Sequence, residues 1–276
     1  MWGRAVGASQ RQSFPHRFQH DGVEGLRTGR FDFGISSSCI LYRLGSTVID
    51  TGPPNQWHLV RRFLNERDVT RVVITHHHED HSGNGARLGR DMNVNVFLPS
   101  EGVELMKRGF PLRAYQRIIW GVPVRFEAQS VPDELELEHG FLLRAIPAPG
   151  HSSDMTCYLE PNRGWLFTGD LYIASKPLFL RADENLGDQI ESLRGVLELD
   201  FETVFCAHRG VVSNGRQAIR AKLDYLVSLR DEVRKLHAGG HSISAIKRML
   251  LGREALLSFI TLFHFSKKNL IEACLP

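Results

Sequence analysis

Residues 71–85 read RVVITHHHEDHSGNG. Val72, Val73 and Ile74 form a short β-branched run that suits a buried strand. Directly after Thr75 come His76, His77, His78, Glu79, Asp80 and His81, so six residues hold four imidazoles and two carboxylates. Neutral imidazole nitrogen and carboxylate oxygen are the ligands that zinc and similar divalent ions accept. In an extended chain side chains alternate, so His76 and His78 share a face and His77 points away. A turn at Ser82-Gly83-Asn84-Gly85 then swings Asp80 and His81 toward the space that His76 and His78 face. That space holds one ion, or two side by side.

The rest of the chain bounds the possibilities. A length of 276 residues allows one large domain, or one domain with an appendage. Hydrophobic content of 42% and charged content of 24% are those of a soluble globular protein. No apolar run approaches the ~20 residues of a membrane span. The stretch MWGRAVGASQRQSFPHRFQH has no apolar centre for a secretory signal, and residues 1–22 are expected to be a flexible leader. Cys39, Cys157, Cys206 and Cys274 show no CxxC spacing and read as reduced, buried thiols in a cytoplasmic protein. From Arg209 onward twelve basic residues stand against five acidic ones. Such a tail can attract an anionic substrate or nucleic acid; a solvated helix face is the blander reading, and we favour it.

Between residues 23 and 52 the pattern is of paired strands. Ile35–Leu44 and Thr47–Asp50 are joined at Gly45-Ser46, a hairpin signal. Asp50 either braces a ligating histidine from behind or starts the following loop as an Asx turn. Residues 56–67 place Leu59, Val60, Phe63 and Leu64 at helical spacing, with His58 as a packing or surface residue. Val94–Leu98 is a strand and Glu101–Lys107 a helix. The segment 100–130 is long for a connection, and a lid or binding loop is expected. Its Phe110, Tyr115 and Trp120 either line a substrate entrance or close over the core. Strands follow at 141–146, 155–159, 165–167 and 203–206, with a helix at 188–199. The tail, 213–276, is predicted helical: a long helix ends at Gly239-Gly240, Ser242 caps a second, and Gly252 breaks it. Leu256–Phe265 is apolar nearly all round and is expected to be buried against the body or a second subunit.

A common grammar runs through the strands. VVIT leads to His76, AIPAPG to His151, LFTG to Asp170 and VFCA to His208. In layered α/β folds functional groups gather where strands end and loops begin. Together with the opening cluster these strand ends make seven candidate ligands: His76, His78, Asp80, His81, His151, Asp170 and His208.

HHHEDH after Thr75, with IDTG upstream and PGHS, FTGD and CAHRG downstream, resembles the metallo-β-lactamase-fold hydrolase superfamily over residues 23–212. The branch it resembles is the glyoxalase II-like one with an HxHxDH motif, here with a helical C-terminal extension. The resemblance implies an α/β fold, a four-layer αββα sandwich with a helical C-terminal subdomain that shapes the pocket or an interface. It implies one ion on His76, His78 and His151, a second on Asp80, His81 and His208, and Asp170 bridging them, with His77 outside the set. Asp80 would orient the nucleophile and take part in proton transfer. His81 and Asp170 stand where β-lactamases of this fold use Arg and Cys, and the tail lacks the FxGHEY segment of glyoxalase II. Tyr172 either donates a hydrogen bond to substrate or belongs to the core.

The expected activity is that of a dinuclear metal hydrolase acting on a small ester, thioester or lactone. Its expected cofactor is two Zn2+, with iron or manganese as alternatives. The substrate would be an anionic or neutral carbonyl compound, with no membrane, and a homodimer is one expectation. Three other functions fit the same residues: a mononuclear-iron sulfur dioxygenase, a single-stranded RNA nuclease, and a low-turnover ligand-binding regulatory protein. The substrate itself is unread, because the 100–130 segment and the tail carry no code for pocket shape.

Overall fold

The structure is a computed structural model that describes residues 16–31 and 37–276. Residues 1–15 of the expected leader, and Ile35 and Ser36 of the expected strand, lie outside the described residues. Two sheets face each other. The first has seven strands in chain order: β1 (Arg17–His20), β2 (Val23–Thr28), β3 (Cys39–Leu44), β4 (Thr47–Ile49), β5 (Arg71–Val73), β6 (Asn95–Leu98) and β7 (Gln129–Ser130). The second has six, comprising β8 (Glu134–Glu136), β9 (Leu142–Pro147), β10 (Thr156–Glu160), β11 (Trp165–Gly169), β13 (Thr203–Cys206) and β14 (Gly210–Val212). A short pair, β12 (Leu180–Arg181) with β15 (Phe265–Ser266), ties the tail to the body.

Adjacent strand residues serve different layers, which is why the strands read as continuous apolar runs. Val73, Ile49, Tyr158 and Phe205 join Tyr42 and Phe167 in the core between the sheets. Their neighbours Val72 and Val48 face outward onto α1 (Trp57–Leu64) and α3 (Gly85–Met92), beside Val60, Phe63 and Leu88. On the other side Cys157, Leu159, Val204 and Cys206 face α6 (Leu186–Leu197) and α7 (Gly215–Ala238), with Ile190, Leu193, Ile219 and Leu226. The layers are therefore αββα. Each fully buried Leu, Ile or Phe in these cores contributes roughly 1.5–3 kcal/mol.

Several elements differ from the sequence reading. Arg17–His20, expected in the leader, is an edge strand paired antiparallel to β2. The turn expected after Asp80 is a helical one: α2 (Glu79–Ser82) runs into α3. Leu59 falls off the apolar stripe of α1, which buries Val60, Phe63 and Leu64. In the 100–130 segment, α4 (Ser100–Arg108) buries Met106 in the sandwich and β7 extends the sheet. Only the part around α5 (Ala114–Ile119) reaches over the site.

The largest departure is in the tail, beyond α8 (Ile243–Leu250). Leu256, Phe259, Ile260, Leu262 and Phe263, expected to be buried against the body or a second subunit, are not buried against the body: they are 47–80% exposed in the single chain. The buried groups there are polar: Ser258, Thr261 and His264. α9 (Leu256–Ile260) is only five residues long, and Leu262 and Phe263 follow in left-handed backbone at φ 51° and 59°. That reversal carries the chain back to β15 and leaves the apolar side chains outside. α10 (Lys267–Glu272), capped by Ser266, closes the chain.

Candidate metal centre

The histidine stretch is held by a small hydrogen-bond frame. Asp50, just past β4, accepts from Thr75 N at 2.8 Å and from Thr75 Oγ1 at 2.9 Å. Asp50 sits at φ 64°, a conformation Asp tolerates better than most residues. Thr51 N and Oγ1 both donate to the His81 carbonyl, at 2.7 and 2.8 Å. Asn84 Nδ2 lies 2.9–3.1 Å from the carbonyls of Thr51, Gly52 and Pro53. The frame locks the loop after β4 to the turn after β5. At the end of β11, Gly169 has φ 46°, and a Cβ there would lie 2.5 Å from Met155 Cε and 2.9 Å from Thr75 Oγ1. Glycine lets Asp170 reach the centre.

All seven residues singled out in the sequence converge. His78 Nδ1 lies 2.8 Å from His76 Nε2 and 3.0 Å from His151 Nε2. Asp170 stands between this trio and the rest. Its Oδ2 is 3.2 Å from His151 Nε2, and its Oδ1 is 3.1 Å from His208 Nε2 and 3.4 Å from His81 Nε2. Asp80 Oδ2 is 3.6 Å from both His81 Nε2 and His208 Nε2.

The outer ring nitrogens set the tautomers. His76 Nδ1 meets Thr75 Oγ1 at 3.0 Å, His81 Nδ1 meets Asp50 Oδ2 at 2.8 Å, His151 Nδ1 meets Glu184 Oε1 at 3.0 Å, and His208 Nδ1 meets the Ser38 carbonyl at 2.6 Å. A proton on each outer nitrogen leaves the inner one as a lone pair, the usual arrangement of a metal-ligating histidine. Inner lone pairs 2.8–3.0 Å apart repel unless a cation lies between them. His81 Nε2 and Asp170 Oδ1 are also buried without a hydrogen-bond partner among the described residues. The donor set fits metal ions. Trios able to hold one are His76, His78 and His151, and His76, His81 and Asp170. A third, Cys39 with Asp80 and His81, brings in a cysteine that the sequence placed merely as a buried thiol.

Without an ion the site is electrostatically tense. Burial holds His76 and His78 well below the usual imidazole range. Burial opposes charge on His208 too, but Asp170, with Asp80 adding to it, pushes that imidazole up to about 9. Asp170 is itself held well below the usual carboxylate range, against burial, by His208, His81 and His151. Burial and the neighbouring Asp80 raise Glu79 to about 7, and Gln116 Nε2 donates to it at 2.9 Å.

Asp50 braces His81 rather than only starting a loop. His77 points away, as alternation predicts, and its ring meets Asp154 Oδ1 at 2.8 Å. Tyr172 is a core residue whose hydroxyl meets Ser175 Oγ at 3.0 Å. Of the three aromatics in the 100–130 segment, Tyr115 and Trp120 line the cavity over the centre, while Phe110 packs edge-on against His77. Glu184, Asp154 and Arg181 were not singled out in the sequence; Glu184 and Asp154 lie in loops, Arg181 ends a strand of only two residues, and each reaches the histidines through a partner far away in the chain. The cavity has a volume of about 340 Å³. Its floor carries Asp80, His151, Asp170 and His208, and its walls come from α5, residues 173–181, α7 and α9.

The profile of the metallo-beta-lactamase superfamily matches residues 32–208. The chain belongs to that superfamily. Superfamily members of known structure share its fold. A beta-lactamase domain protein from Burkholderia ambifaria superposes with a TM-score of 0.71 at 20% identity, over 93% of this chain and 86% of that one. A metallo-beta-lactamase family protein from Thermus thermophilus gives 0.66 at 19% identity, over 91% and 90%. Among curated relatives, an atrochrysone carboxyl ACP thioesterase from Pseudocercospora fijiensis is 28% identical over 76% of this chain and 58% of its own length. A hydroxyacylglutathione hydrolase from Vibrio campbellii is 29% identical over 71% and 70%. The chain spans about half the length of the fungal thioesterases it matches.

Proposed function

We propose that this superfamily member is a dinuclear metal-dependent hydrolase of thioesters, with esters and lactones as chemically neighbouring substrates. The observation that carries the reading is Asp170, whose two oxygens approach His151 on one side and His81 and His208 on the other. His76, His78 and His151 would hold one ion, and Asp80, His81 and His208 the other, with Asp170 shared. The thioester class is supported by the thioesterase and hydroxyacylglutathione hydrolase relatives.

Bound ions supply Lewis acidity and make a water acidic enough to attack at neutral pH. The chain's residues do the rest. Asp80, 10% exposed at the cavity floor, orients the attacking water and takes its proton, which passes to the departing thiolate. Water and thioester thus become carboxylic acid and thiol. Asp50 and Glu184 keep His81 and His151 in the ligating tautomer. Trp120, Leu180 and Phe265 line the cavity and keep bulk water from the reacting carbonyl.

The basic tail does not favour the nuclease reading. Lys222 is buried on the Leu171 carbonyl, Arg216 binds the carbonyls of Leu197 and Leu199, and Lys247 pairs with Glu254. Metal analysis and a panel of acyl-N-acetylcysteamine thioesters test the hydrolase. About two zinc ions per chain and thioester cleavage are expected, with Asp80→Asn lowering kcat roughly 10²–10⁴-fold. One iron, with persulfide-dependent oxygen uptake and no thioester cleavage, would establish the dioxygenase instead.

A further inference from the structure

Arg181 closes the cavity on the side of His78, and it is 7% exposed. Its Nε and Nη2 are taken by Asp183, at 3.0 and 2.8 Å. The remaining nitrogen, Nη1, has His78 Nδ1 as its hydrogen-bond neighbour among the described residues, at 3.3 Å. That Nδ1 is one of the three nitrogens converging with His76 and His151. An ion held by the trio takes the Nδ1 lone pair, and Nη1 is then a buried donor without an acceptor, a costly state. An oxygen arriving with the substrate relieves it, and an anionic oxygen relieves it most.

The guanidinium is also fixed from behind. Asp183 Oδ1 lies 3.2 Å from His264 Nε2, and His264 Nδ1 lies 2.7 Å from the Tyr115 hydroxyl. The other buried cation of the lining, Lys222, is already committed to the Leu171 carbonyl at 2.5 Å. Trp120, Leu180, Leu226 and Phe265 supply apolar lining to the same cavity, and the carboxylates of Glu79 and Glu184 line it too.

We propose that Arg181 is the specificity residue of this site, anchoring a carboxylate that the substrate's acyl group carries close to the reacting carbonyl. The body of the acyl group beyond that carboxylate is apolar. The assignment rests on the thioester-hydrolase reading and adds the substrate class.

The test uses the zinc-loaded full chain and two uncleavable thioethers of N-acetylcysteamine with equal alkyl chains. One carries a carboxylate beside the carbon bonded to sulfur. Calorimetry should show the carboxylate probe binding about ten-fold more tightly. Arg181→Met should remove that margin, and Arg181→Lys should keep part of it, because lysine retains the charge without the fork. Equal binding of the two probes by the wild-type protein overturns the assignment, whatever becomes of the variants. So does a margin that survives Arg181→Met, which would mean that the ions alone bind the carboxylate.

The matched thioesters separate the two readings. Cleavage of both at the same kcat/KM overturns the role of Arg181 and leaves the hydrolase standing. A margin in thioether binding without cleavage of any thioester leaves the carboxylate site standing and overturns the hydrolase.

Discussion

The cavity has two kinds of wall, built by different rules. On one side, strand ends of the sandwich deliver His76, His151, Asp170 and His208, with the outer nitrogen of each of these imidazoles hydrogen-bonded to an oxygen. On the other, α5 and the tail meet across the cavity through one polar chain, Tyr115–His264–Asp183–Arg181. The first wall is part of the core shared with the superfamily. The second is a lid of short helices whose outer face is apolar and exposed. On the proposed function the difference separates chemistry from selection: the candidate metal donors sit at sheet ends, and the groups proposed to choose the substrate sit on short elements that meet late in the chain.

The comparison breaks most readily on the sandwich side. Asp50→Ala leaves His81 Nδ1 without its carboxylate, and Glu184→Ala does the same to His151. Each should weaken metal binding by about 10–100-fold, read by competition with a chelator. Unchanged affinity would mean that the frame behind the histidines is dispensable.

A second effect belongs to the same wall and depends on pH. In the metal-free protein Asp170 holds the His208 pKa at about 9, above the ~6.5 of an unfolded chain. The stabilisation is fully present below about pH 6.5 and is lost as pH rises through about 9. The melting temperature of the metal-free protein should therefore fall across that window. The zinc-loaded protein should not show the same fall, because an ion replaces the proton. Parallel pH profiles for the two forms would refute this account.

The smallest effect is expected on the lid. Tyr115→Phe removes one hydrogen bond between α5 and His264, worth about 1 kcal/mol. It should raise KM for thioesters more than it lowers kcat, with metal content unchanged. A loss of bound zinc would show that the two walls are not independent.

The sequence by itself determined the sandwich and its donors, because both are written locally. β-branched runs specify strands, alternation puts His77 away from His76 and His78, and a strand that ends in His or Asp delivers that group to the same edge each time. Strand ends named His76, His151, Asp170 and His208, the stretch after the first of them added His78, Asp80 and His81, and these seven are the residues that converge. The tertiary structure alone decided that Asp50 lies behind His81, that Glu184 lies behind His151, and that Arg181 faces His78 across 103 positions of sequence. It also decided that Leu256, Leu262 and Phe263 lie outside while Ser258 and Thr261 lie inside. Periodicity records which face of an element is apolar, not what that face will meet. In α9 the element is too short for periodicity to speak, and the left-handed backbone at Leu262 and Phe263 turns the chain regardless of hydropathy.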